Sequence, residues 1–141
     1  VLWWVLPWTL ASPAEALVLN VVRELLLSAA LFSIFAPAHL PHECEFFAKD
    51  AVPDDPILRQ AAATIDIRVG ALPAFFMAGL QYQLEHHLFP GVPHPHLPRL
   101  APLVREALER HGYPYRLLSW SDAMVQALRV GFDPKPVVGA S

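Results

Sequence analysis

Residues 79–90 read Gly79-Leu80-Gln81-Tyr82-Gln83-Leu84-Glu85-His86-His87-Leu88-Phe89-Pro90, and two adjacent imidazoles at the centre follow an amide by three and four positions. Residues three and four apart share a helix face, while neighbours diverge by roughly 100°. A single helical turn therefore offers Gln83, His86 and His87 to one metal centre, or to two metals side by side. Imidazole nitrogen suits iron, zinc, copper and nickel, so residue type alone does not choose the metal. The zinc-peptidase spacings fail: His-Glu-x-x-His does not occur in the chain, and its inverse His-x-x-Glu-His is excluded because Tyr82 stands three places before Glu85. An isolated His-His pair more often caps a helix or binds backbone carbonyls, so the flanking residues have to carry the functional reading.

Working outward, the whole chain is greasy. Its 141 residues are 55% hydrophobic and 16% charged, with mean hydropathy +0.37. Soluble domains carry about 25% charged residues, so the balance points to a membrane protein. A net charge of −3 gives no electrostatic case for nucleic acid. The single Cys44 forms no internal disulfide and no thiolate cluster. The 15 prolines punctuate helices rather than forming a low-complexity tract.

The chain opens with Val1 inside an apolar run, without the charged leader or small-residue cleavage site of a signal peptide. Residues 1–11 are expected to be the tail of a membrane helix that begins upstream, in a C-terminal fragment or truncated gene product. Ser12-Pro13-Ala14-Glu15 then carries the residues of a capping box with proline at the first helical position. Residues 14–36 read as an apolar helix stopped by Pro37, about 34 Å long and sufficient to cross a bilayer core. Arg23 and Glu24 lie mid-helix, where ionisable groups are expensive and pair with a partner.

Only Arg23 is basic before Lys49, and the other basic residues lie between Lys49 and Lys135, which places that part on the cytoplasmic side. Residues 69–80 are apolar but too short to span, and read as a re-entrant or interfacial helix leading into the His86-His87 pair. Leu100, Leu103, Val104 and Leu108 form an apolar stripe opposed by Arg105, Glu106, Glu109 and Arg110, with a stop at Gly112. Ser119-Trp120-Ser121-Asp122 opens a second helix toward Val130, and residues 132–141 read as a frayed terminus. The expected fold is all-α. It comprises an integral membrane hairpin (1–36), a cytoplasmic region carrying the His86-His87 pair (37–118), and a C-terminal helix and tail (119–141).

Residues 79–90 closely resemble the third histidine box of membrane fatty acid desaturases, in the front-end and bacterial acyl-lipid form that begins with Gln. The resemblance runs on through Pro93, Leu97, residues 101–104 and His111-Gly112. Upstream, Phe35-Ala36-Pro37-Ala38-His39 is similar to the Phe-Ala-Pro-Asn-His stretch of bacterial members, with Ala38 in place of Asn. It implies a C-terminal portion of that fold, integral to the membrane, with the box on the cytoplasmic face.

On this resemblance His86 and His87 are the catalytic metal ligands. Gln83 stands where other members carry His, as a weak ligand, an outer group or a water holder. His39 is the upstream ligand, with His42 as its alternative. Asp66, where Asn is common, and Glu85 are candidates for orienting the ligands from outside. His94 and His96 read as interfacial or structural, and His111 as a helix C-terminal residue favoured by the dipole.

The implied cofactor is a non-haem diiron centre completed by residues outside this chain, because the family's His-x-x-x-His and His-x-x-His-His boxes are missing from it. The implied reaction inserts a cis double bond into a fatty acyl chain using dioxygen. The acyl group is carried on CoA, acyl carrier protein or lipid, and electrons come from ferredoxin or cytochrome b5. The alternatives are a related lipid hydroxylase and an inactive truncated remnant.

Overall fold

A computed structural model describes residues 2–139, which divide into two compact units between Ser33 and Ile34. Helix α1 (Leu2–Leu10) turns at Ser12 into helix α2 (Pro13–His39), which belongs to the first unit as far as Ser33. The turn is the expected capping box. The Glu15 carboxylate accepts from the Ser12 amide at 3.0 Å and from its hydroxyl at 2.7 Å. Arg23 pairs with Glu24 at 2.9 Å, donates to the Trp3 carbonyl and lies 4.7 Å from the Trp4 ring centroid. The charged pair at mid-helix is therefore satisfied within this unit.

Among the described residues α2 is the one helix long and apolar enough to cross a membrane. At 27 residues it extends about 40 Å. Its leucines and valines are largely bare, with Leu25 65% and Leu26 67% exposed, a surface that water penalises and lipid does not. Helix α1, with nine residues, covers only about 14 Å.

Helix α2 does not stop before Pro37, as the sequence predicts, but runs to His39. A proline in a last turn removes only one backbone bond. Here Pro37 and Ala38 are fully buried, and the helical pattern carries on with Leu40 N–H donating to the Ala36 carbonyl at 2.9 Å. Packing holds the turn that propensity would end, and it carries the His39 ring with it.

The second unit is mostly helical but not all-α. Four strands of two or three residues make two parallel pairs. Strand β1 (Phe46–Phe47) pairs with β4 (Val137–Val138), and β2 (Asp66–Arg68) pairs with β3 (Leu117–Ser119), Asp66 opposite Leu117. Runs this short show no alternation, so nothing in the sequence pattern separates them from loops.

The remaining helices are α3 (Pro56–Ala63), α4 (Ala71–Met77), α5 (Gln83–Leu88), α6 (Leu97–Arg110) and α7 (Trp120–Val130). Helix α3 starts at Asp55, whose carboxylate accepts from Ile57 and Leu58 amides. Helix α7 opens at the expected Ser119, which accepts from the Asp122 amide at 3.2 Å, and closes before Gly131. Leu97, Ala101, Val104 and Leu108 form the buried face of α6; Leu103, assigned to that face from the sequence, is 62% exposed. Arg105–Glu109 and Glu106–Arg110 bridge its outer face.

The apolar interior has two centres. One joins Ala38, Cys44, Ile65, Ile67 and Ala123; the other joins Ala61, Leu84, Val104 and Leu108. Helix α5 is rooted in the second through Leu84. The tail is tied down rather than frayed as far as residue 139. Lys135 donates to the carbonyls of Pro41 and Cys44 and lies 4.5 Å from the Phe46 ring centroid. The final two residues of the expected frayed terminus lie outside the described part.

Candidate metal centre

Helix α5 is only six residues long and begins at Tyr82 without a side-chain cap of its own. The short apolar helix expected over 69–80 ends at Met77, because Ala78 turns left-handed (φ 50°) and Gly79 follows at φ 95°. That reversal aims α5 back at the end of α2. A Cβ on Gly79 would lie 2.7 Å from the His94 Cβ, so glycine is required by both conformation and space. Gly79→Ala is expected to destabilise the protein by about 1–3 kcal/mol and to displace the His94 side. Thermal unfolding in detergent, with substituted and parent proteins side by side, measures it.

What caps α5 comes from a distant strand. Asp66 on β2 accepts from the Leu84 amide at 3.0 Å with one carboxylate oxygen, and from the Tyr115 hydroxyl at 2.8 Å with the other. This satisfies a helix N-terminal N–H that would otherwise be orphaned in the interior. Glu85, fully buried, turns to the same place, 3.5 Å from the Tyr115 hydroxyl. Burial raises the affinity of both carboxyls for a proton. Glu85 is pushed up to about 8, first by burial and then by its hydrogen bond and charge contact with Asp66. Asp66 keeps the negative charge because it accepts the surrounding N–H and O–H donors, and Glu85 keeps the proton. Tyr115, raised by the same burial, remains a hydroxyl.

The Asp66 contacts run to the Leu84 amide, the Tyr115 hydroxyl and Glu85 rather than to an imidazole. Asp66 thus sets the backbone of the turn that carries the rings. Tyr115 had no local signal in the sequence. It is 49 positions from Asp66 and meets it only because β2 and β3 pair.

On the opposite side of α5 the rings gather. The Gln83 side-chain nitrogen lies 3.1 Å from His39 Nε2 and 3.0 Å from His87 Nε2. An amide NH2 has two protons to donate, so both ring nitrogens present lone pairs toward one electropositive point. That is the protonation state a metal ligand needs. Donors sharing one ion at metal–nitrogen distances of about 2.0–2.1 Å lie about 3.0–3.4 Å apart, the spacing that the Gln83 amide keeps to each ring nitrogen. Rotating the amide by 180° would present its oxygen to the same point. Burial, followed by the nearby His86, lowers the proton affinity of His87 and favours its neutral form.

The ring planes of His39 and His87 cross at 88° with centroids 5.4 Å apart. His86 lies 5.9 Å beyond His87, and its buried Nδ1 has no hydrogen-bond partner among the described residues. The structure thus brings together His39, Gln83, His87 and His86. It leaves the exposed His42 elsewhere, with its backbone amide donating to Gln126 at 2.8 Å. His96 is exposed, and His111 caps α6 by donating to the Ala107 carbonyl at 2.7 Å. Cys44 is buried and pushed up to about 11, a thiol rather than a thiolate ligand.

Among the described residues no three His, Cys, Asp or Glu side chains group as a complete cage would. The donor set that is present is two imidazoles and an amide, with a third imidazole adjoining. Its lone pairs and spacing fit a nitrogen-bound transition metal, and its number fits part of a site.

Comparison with known proteins follows the same lines. The family model described as fatty acid desaturase matches residues 1–119. A Delta(8)-fatty-acid desaturase 1 of Arabidopsis thaliana is 40% identical over 99 residues, covering 67% of this chain and 22% of the relative. A Delta(8)-fatty-acid desaturase of Borago officinalis is 37% identical over 112 residues, 76% of this chain and 25% of the relative. Delta(5) fatty acid desaturase A of Dictyostelium discoideum is 27% identical over 143 residues, 92% of this chain and 31% of the relative. The chain thus spans only between a fifth and a third of the length of these relatives. No solved structure matches it. With its histidine-bearing turn, its long apolar helix and a family match over most of its length, the chain belongs to the fatty acid desaturase family.

Proposed function

We propose that these residues form the C-terminal part of a membrane-bound desaturase, and that His39, His86, His87 and Gln83 hold part of a non-haem diiron centre. The observation that carries this reading is the convergence of the His39 and His87 lone pairs on one point beside His86. When bound, the iron supplies the activation of dioxygen that lets hydrogens be taken from adjacent carbons of a fatty acyl chain, chemistry that side-chain acids and bases do not perform.

The chain's own residues orient and protect. Asp66 and Tyr115 fix the turn, and Leu84 roots it in the apolar interior. Neutral Glu85 keeps a second negative charge away from Asp66. On this reading α1 and α2 form a membrane hairpin, α4 lies at the bilayer surface through exposed Leu72, Phe75 and Phe76, and the rings face the cytoplasm. The acyl chain reaches the site from the lipid on CoA, acyl carrier protein or a lipid headgroup. Electrons arrive from a ferredoxin or cytochrome b5 partner.

Two irons require more donors than residues 1–141 offer, so this stretch alone is expected to be inactive. The test expresses it alone and joined to an upstream segment carrying the other two boxes, in a host lacking the activity, and profiles membrane fatty acids by mass spectrometry. Products lighter by two hydrogens only from the joined form support the proposal. Unsaturated products from the stretch alone overturn its inactivity, and products heavier by one oxygen identify a hydroxylase.

A further inference from the structure

His94 stands outside the family's box, and its surroundings are built around it. Its Nδ1 lies 2.7 Å from the Ala78 carbonyl, which cannot donate, so Nδ1 carries the proton and Nε2 of the neutral ring carries a lone pair. A backbone carbonyl on one ring nitrogen is the arrangement that fixes tautomer and orientation in metal-bound histidines. The carbonyl belongs to the left-handed Ala78, and the room for the His94 Cβ exists because residue 79 is glycine. The ring meets His86 edge-on, centroids 4.9 Å apart and planes at 87°. Two imidazoles on one ion at metal–nitrogen distances of about 2.0–2.1 Å place their centroids about 4.5–5.2 Å apart, between octahedral and tetrahedral angles. His86 brings to this contact a buried Nδ1 without a hydrogen-bond partner among the described residues. His111 makes the same carbonyl bond at a helix end, but among the described residues its ring meets no other imidazole, which is what separates a cap from a ligand.

We propose that His94 is a metal ligand sharing an ion with His86, next to the ion held by His39, Gln83 and His87. The four imidazoles then form one row, His39, His87, His86, His94, along which two ions sit side by side. The remaining ligands of each ion come from water or from residues outside this chain. The proposal rests on the diiron reading above, and its test separates the two.

The full-length protein carrying these residues is purified in lipid nanodiscs and loaded with ferrous iron. Iron per chain is measured by mass spectrometry, and the near-infrared magnetic circular dichroism of the ferrous centre is recorded. His94→Phe keeps a ring edge against His86, and His94→Asn keeps a donor for Ala78; neither has an imidazole lone pair. Both are expected to lower iron from two per chain to one and to change the ligand-field bands, while His96→Ala leaves both readouts as in the parent. Parent-like iron and spectrum in His94→Phe and His94→Asn, with iron lost in His86→Ala, overturns the role of His94 and leaves the diiron reading standing. If His86→Ala also retains all its iron, the diiron reading falls and this proposal with it.

Discussion

Replacing His87 by alanine is expected to remove at least the iron that it shares with His39 and Gln83 and to cut product formation by about 100-fold or more. The expectation follows from the donor count. Outer partners of metal ligands alone are worth about 10–100-fold in metal affinity or activity, so a direct ligand costs at least the upper end. His87 faces Gln83 at 3.0 Å and the His39 ring at 5.4 Å, and its loss leaves one imidazole and an amide at that point. His86→Ala is expected to do the same at the neighbouring position. Metal content of purified protein and fatty acid profiles of the host are the measurements. Full iron content in either variant would show that the ligands lie elsewhere.

The second large effect is structural. Asp66→Ala removes the acceptor of two buried donors, the Leu84 amide and the Tyr115 hydroxyl. Each orphaned donor costs about 1–3 kcal/mol, so the variant is expected to lose about 2–6 kcal/mol, a large share of a typical domain's stability. Asp66→Asn, which keeps an oxygen acceptor, is expected to lose less than half as much. Unfolding midpoints in one detergent, followed by helical circular dichroism, rank the three proteins. Equal midpoints for parent and Asp66→Ala would mean that α5 is held by its apolar contacts alone.

How much of this was legible beforehand depends on how far apart the partners are in the chain. Ser12 with Glu15 and Ser119 with Asp122 are three residues apart, and both caps formed as the sequence predicts. The apolar face of α6 was legible in the same way, apart from Leu103. The His86-His87 turn was legible because its ring spacing is a property of one helical turn. The support beneath that turn was not. Asp66 meets Tyr115 across a parallel pairing of three-residue strands, and parallel partners leave no mark of alternation or turn chemistry. From the sequence His94 has only an interfacial or structural reading, because Pro93-His94-Pro95-His96 stands where the resembling family more often has Arg, His and Asn. What places its ring is the reversal at Ala78 and Gly79, fifteen residues or more earlier in the chain. Pro37 shows the opposite error, a local stop signal overruled by burial of the residues around it.

The pairing of Val137–Val138 with Phe46–Phe47, together with the reach of Lys135 to Pro41 and Cys44, has a consequence for biosynthesis. The stretch immediately following His39 gains its last fastenings from residues made 91 to 94 positions later. At translation speeds of about 5–20 residues per second, roughly 5–20 s separate the two events on the ribosome. The loop from Pro41 to Phe47, directly after the turn that carries His39, therefore stays unfastened on the ribosome until residues 135–138 have been made.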